Sequence, residues 1–70
     1  MVVLDSAHRH GHTDEDIHHA IRNRIATHDM DGYEMIVGPT PTGELIEVAV
    51  NRLDQAFHAM RARSQYLPRR

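Results

Sequence analysis

The residues best suited to chemistry gather near the C-terminal end: His58, Arg61, Arg63 and Tyr66, with Glu47 and Arg52 ahead of them. An imidazole takes up or gives away a proton near neutral pH. Guanidinium groups hold a phosphate through paired N–H donors and offset the negative charge that grows during its transfer. A tyrosine stacks on a base or donates a proton. If one sheet face brings His58 together with Glu47 and Arg52, this set is enough for metal-free RNA cleavage, in which the 2′-hydroxyl attacks the adjacent phosphate. On that reading His58, Arg61 and Arg63 are catalytic, and Arg52, Tyr66 and Glu47 are the RNA-binding members. The competing reading is a solvated basic tail with His58 packed in a sheet.

Other constellations point elsewhere. Seven histidines occur in 70 residues, with His8, His10 and His12 in an alternating run and His18-His19 after it. On a helix His8 and His12 would share a face at i and i+4, but Gly11 interrupts that helix, and only Asp14 or Glu15 offers a third type of ligand. The expectation is exposed or capping histidines, with no metal and no cofactor. Ser6 and Ser64 lack a Gly-x-Ser-x-Gly setting for nucleophilic catalysis. Gly38 to Gly43 holds two prolines, which lack the N–H groups of a phosphate cradle, and reads as a turn.

Composition narrows the classes further. The chain has no cysteine, which removes disulfides, thiolate zinc sites and thiol catalysis. No apolar run approaches the ~20 residues of a membrane span, and Met1 to Leu4 is too short for the apolar core of a secretory signal; the expected location is the cytoplasm. Formal net charge is −2, yet the charge is uneven: residues 1–50 carry nine acids against three arginines, and residues 51–70 carry Asp54 against Arg52, Arg61, Arg63, Arg69 and Arg70. A chain this short buries only roughly 60% of its unfolded surface, which makes a homodimer or a bound partner chain the default.

These side chains must be positioned by a few short elements. Val2 to His10 reads as a short helix stopped by Gly11. Thr13 followed by Asp14, Glu15 and Asp16 is a helix start, and Ile17, Ala20 and Ile21 form the apolar face of a helix over 14–24. From Ile25 the period becomes two. Asp31-Gly32 marks a hairpin, Tyr33, Met35 and Val37 alternate, Glu44 to Asn51 is the clearest strand, and Gln55 to Met60 is a fourth. Arg61 to Tyr66 adds a short C-terminal helix before Pro68. The predicted fold is α+β: two N-terminal helices packed on a four-stranded antiparallel sheet whose other face is open, in one domain over 1–70.

The order of motifs resembles the BrnT-type toxins. Arg9-His10-Gly11 before an acid-rich helix start is similar to their basic-His-Gly opening. Met35-Ile36-Val37-Gly38, a turn, Gly43 and Glu44-Leu45-Ile46-Glu47-Val48 resemble their second and third strands. His58-Ala59-Met60-Arg61-Ala62-Arg63 resembles the fourth strand, which ends near an Ala-Arg pair. The likeness covers residues 6–67. It implies a RelE-like fold, ribonuclease activity that inhibits translation on RNA free or ribosome-bound, no metal, and a cognate antitoxin that also binds operator DNA. By position, Arg61 and Arg63 match the Arg-bearing end of the fourth strand and His10 the His-Gly corner.

The sequence therefore predicts a small toxin-like ribonuclease in which Arg61→Ala or Arg63→Ala abolishes growth arrest without unfolding the chain. The alternative is a non-catalytic interaction module that uses the open sheet or its edge strand to pair with another chain.

Overall fold

A computed structural model describes residues 1–68; Arg69 and Arg70, part of the expected basic end, lie outside the described residues. The chain forms strand β1 (Val2–Val3), a 3-10 turn (Asp5–His8), helix α1 (Asp14–Arg22), strands β2 (Ala26–Asp29), β3 (Tyr33–Pro39), β4 (Leu45–Asn51) and β5 (Gln55–Arg61), and a second 3-10 turn (Ser64–Tyr66). The sheet order is β1-β5-β4-β3-β2. Strands β2 to β5 are antiparallel neighbours, and β1 lies parallel to β5.

The domain is α+β, but its architecture corrects the expected one. There is one α-helix, not two, and the sheet is five-stranded and mixed, not four-stranded and antiparallel. The RelE-like arrangement implied by the resemblance falls with it. The physical reason lies at the N-terminus. Two β-branched valines pair with Gln55 and Ala56, and the amide of Leu4 donates to the carbonyl of Ala56 at 2.8 Å. That long-range pairing takes the residues a first helix would need, and only one 3-10 turn remains before Gly11, whose φ is +88°. The expected C-terminal helix is likewise reduced to Ser64–Tyr66, because β5 runs on to Arg61.

Helix α1 begins as the residue types dictate. The Thr13 hydroxyl accepts from the Asp16 amide and the Asp16 carboxylate accepts from the Thr13 amide, both at 3.1 Å, which satisfies two orphan donors at once. Ile17 and Ala20 are fully buried against Ile36, Ile46, Val48, Val50, Ala56 and Ala59 on one sheet face. Helix and sheet come close at Gly38, where a Cβ would overlap the carbonyl oxygen of Ala20. Glycine is what lets helix and strand come this close.

The opposite sheet face carries the chemistry. Register places Tyr33 with Asn51, Met35 with Ala49 and Val37 with Glu47, so these residues share that face. It was expected to be open. Instead, the segment after β5 crosses it: Ala62 donates its amide to Leu45, Arg63 bonds to Glu47, and the carbonyl of Tyr66 accepts from His28 Nε2 on β2 at 2.7 Å. This strap reaches from one side of the sheet to the other.

Candidate functional site

Strict alternation along β5 would put His58 on the same face as Ala56, against the helix. The structure avoids this with a β-bulge. Val50 pairs with Ala56 and Ala49 pairs with His58, which leaves Phe57 as the extra residue. Ala56 and Ala59 both stay in the core, while Phe57 and His58 turn toward the other face. A bulge re-aims side chains in this way by inserting one unpaired residue. The edge contact between Phe57 and Tyr33, with ring centroids 5.5 Å apart, holds the turned-out ring.

Beneath His58 lies Glu47, completely buried on β4. A buried carboxylate is unfavourable unless its lone pairs are satisfied. Here they are: His58 Nε2 donates to Oε2 at 2.9 Å, the Arg63 amide to Oε1 at 3.0 Å, and the Arg63 guanidinium to both oxygens, with Nη2 at 2.7 Å from Oε2. Burial pushes the Glu47 carboxyl up, but the hydrogen bonds from the Arg63 side chain and backbone and from His58 outweigh it and hold the group below the usual carboxylate range. The Glu47 hydrogen bond and charge hold the Arg63 guanidinium above its ordinary value in turn. Arg63 also lies over the Tyr66 ring, 5.4 Å from its centroid.

A cleft of about 400 Å³ opens above this clasp. Its floor is Met35, Ala49 and Phe57, and its walls are Tyr33, Tyr66, His58 and Arg63 from the sheet side and strap, and Ser6, Arg9 and His10 from the N-terminal corner. His10 stands edge-on to His58, with ring centroids 6.0 Å apart. Two imidazoles, two guanidiniums and two phenols thus converge over a partly apolar floor.

The N-terminal corner is fixed from three sides. The Ser6 hydroxyl donates to the carbonyl of Phe57 at 2.7 Å, at the bulge itself. His8 Nδ1 donates to the carbonyl of His12 at 2.8 Å, and its Nε2 lies 2.8 Å from Asp14 Oδ1. The bond to His12 and the Asp14 carboxylate outweigh partial desolvation and hold the His8 imidazole above its ordinary value. His12 turns away to Glu44 at 3.3 Å. The alternating histidines therefore face three different partners, and among the described residues no three metal-ligating side chains come together.

Of the six residues singled out by the sequence, the fold unites four: Glu47, His58, Arg63 and Tyr66. Glu47 lies under the cleft, sealed from any ligand, and its contacts are to His58 and Arg63. Arg61 is not part of the group. It pairs with Ile46, so it belongs to the helix-covered face, and it lines a separate depression with Glu44, Leu45, Ala62 and Leu67. Arg52 is also apart, in the β4–β5 turn beside Asp29 and Glu34 at the end of the sheet. Tyr33 and Phe57 are members that residue spacing did not select; Arg9 and His10 entered through the family likeness, and His10 otherwise only in the histidine run weighed as a metal site. Arg9-His10 before a glycine, far from His58 in sequence, carries no local signal that it returns to the β5 bulge.

Compared with protein-family models, with curated proteins and with solved structures, the chain matches none of them. Fold and site define it as a small α+β domain with a cationic, imidazole-bearing cleft. No helix among the described residues is long and apolar enough to cross a membrane.

Proposed function

We propose that this chain is a small ribonuclease that cleaves RNA by transesterification, the 2′-hydroxyl displacing the 5′-oxygen of the next nucleotide. The observation that carries this reading is the convergence of His58, His10, Arg63 and Arg9 on one cleft of about 400 Å³ walled by Tyr33 and Tyr66. Arg9 and Arg63 hold the phosphate and offset its growing charge. The His58 imidazole, held by Glu47, handles a proton of the reaction. The apolar floor and the tyrosines accept an unstacked base, the form in which single-stranded RNA is recognised. Arg61 and Arg52 lie outside this cleft and have no role in the proposed reaction.

The resemblance of residues 6–67 to BrnT-type toxins supports a biological setting in which the enzyme arrests translation in the cytoplasm and a cognate antitoxin neutralises it. Induced expression tests the whole reading. Wild type is expected to arrest growth, with cleaved RNA carrying 2′,3′-cyclic phosphate ends. His58→Ala and Arg63→Ala are expected to abolish both effects, and Arg61→Ala to leave them intact. A wild-type chain that neither arrests growth nor cuts RNA refutes the proposal and leaves the interaction module.

A further inference from the structure

We infer that the two imidazoles have separate roles, His58 as general base and His10 as general acid, with Glu47 a positioning residue that assigns the first of them. The inference rests on the ribonuclease reading above and deepens it.

An ionised carboxylate only accepts hydrogen bonds. Glu47 is such a group, surrounded by donors from Arg63, so His58 must point an N–H at it: the contact is Nε2 to Oε2 at 2.9 Å. The neutral His58 ring therefore carries its hydrogen on Nε2 and its lone pair on Nδ1. That Nδ1 has no partner among the described residues and is not a buried unpaired atom, so solvent reaches it, and His58 lines the cleft. An accessible lone pair on a cleft-lining ring is what a general base requires. The positive charge that His58 acquires on taking a proton lies against Glu47, which stabilises the protonated ring as the reaction proceeds.

His10 differs in each respect. It is exposed, sits on the N-terminal corner beside Arg9, and has no hydrogen bond to a carboxylate among the described residues. Its ring stands edge to face with that of His58, centroids 6.0 Å apart at an interplanar angle of 77°, so the two imidazoles border the same cleft. A phosphodiester seated in the cleft against the exposed edges of both rings can present the 2′-hydroxyl to one and the leaving 5′-oxygen to the other. The step then balances. His58 Nδ1 takes the proton of the 2′-hydroxyl, the O2′–P bond forms, the P–O5′ bond breaks, and His10 gives its proton to O5′. The products are a 2′,3′-cyclic phosphate and a 5′-hydroxyl, and the two rings return to their starting forms by proton exchange with water.

A pair of substrates separates these roles: an RNA oligonucleotide with one scissile linkage, and the same oligonucleotide with sulfur replacing the 5′-bridging oxygen. A thiolate leaves without a proton, so loss of a general acid matters little for it. His10→Ala is expected to lose about 10²–10⁴-fold on the oxygen substrate, the usual range for a proton-transfer catalyst, and to recover to within roughly tenfold of wild type on the sulfur substrate. His58→Ala is expected to lose activity on both, and so is Glu47→Gln, because it acts through the base. Glu47→Gln must also move the pH dependence of cleavage while circular dichroism shows the chain folded at the assay temperature. If His10→Ala costs nothing, or is not rescued by sulfur, the acid assignment is overturned while the ribonuclease reading stands. If wild type cuts neither substrate, the ribonuclease reading itself fails.

Discussion

Replacing Glu47 with glutamine tests whether the clasp organises the cleft. The carboxylate is fully buried and accepts five contacts of 2.7–3.2 Å from His58 and Arg63. Removing one member of a completely buried ion pair costs about 3–5 kcal/mol, because the other charge is left unpaired. Arg63 is not completely buried: its side chain is 45% exposed and can turn toward water. The expected loss is therefore smaller, about 2–3 kcal/mol, made up of weakened charged hydrogen bonds. For a domain of this size that lowers the melting temperature by roughly 8–24 °C.

Acid should erase the clasp's contribution. The folded Glu47 carboxyl is held below its ordinary value of 4.5. Its contribution is thus fully present above that pH and is lost as pH falls through the folded value. Urea unfolding of wild type and Glu47→Gln at pH 7 should show the full difference, and the gap should close as pH falls below about 4.5. A difference under about 0.5 kcal/mol at pH 7, or a gap that widens in acid, would refute the clasp as a source of stability.

Other perturbations have equally definite outcomes. Gly38→Ala places a Cβ against the backbone of Ala20 and should cost about 1–3 kcal/mol or more by thermal melting. Thr13→Ala removes the cap of α1 and should cost about 1 kcal/mol in urea unfolding. The His8 imidazole is held above 6.5, so the extra stability its protonated form draws from the His12 carbonyl and Asp14 is complete below that pH and is lost as pH rises through the folded value. An NMR titration should find His8 titrating above a reference histidine, and Asp14→Asn should return it toward 6.5.

Much of the scaffold was legible because local chemistry determined it. The Thr13 cap with Asp16 behind it, the apolar spacing of Ile17 and Ala20, and the alternation of Tyr33, Met35 and Val37 all have direct counterparts in the structure. What escaped depends on contacts distant in sequence. Val2–Val3 is too short to show a period, and only its pairing with Gln55 and Ala56 makes it a strand. The Phe57 bulge reverses the face that simple alternation assigns to His58. Glu47 resembles a surface charge in a strand, and its burial follows from Arg63 arriving with the strap. Arg61 and Arg63 look equivalent in the sequence. Strand geometry sends the first to the helix-covered face, and the irregular backbone beyond β5 lets the second reach Glu47.

The central claim is that the cleft built on Glu47 cuts RNA with its own imidazoles and guanidiniums. The most direct measurement is to incubate purified protein with a short single-stranded RNA in the presence of a metal chelator and to analyse the ends produced. The account predicts 2′,3′-cyclic phosphate and 5′-hydroxyl ends, formed by wild type and by Arg61→Ala but not by Arg63→Ala. Intact RNA with wild type, or cleavage that survives Arg63→Ala unchanged, would contradict it.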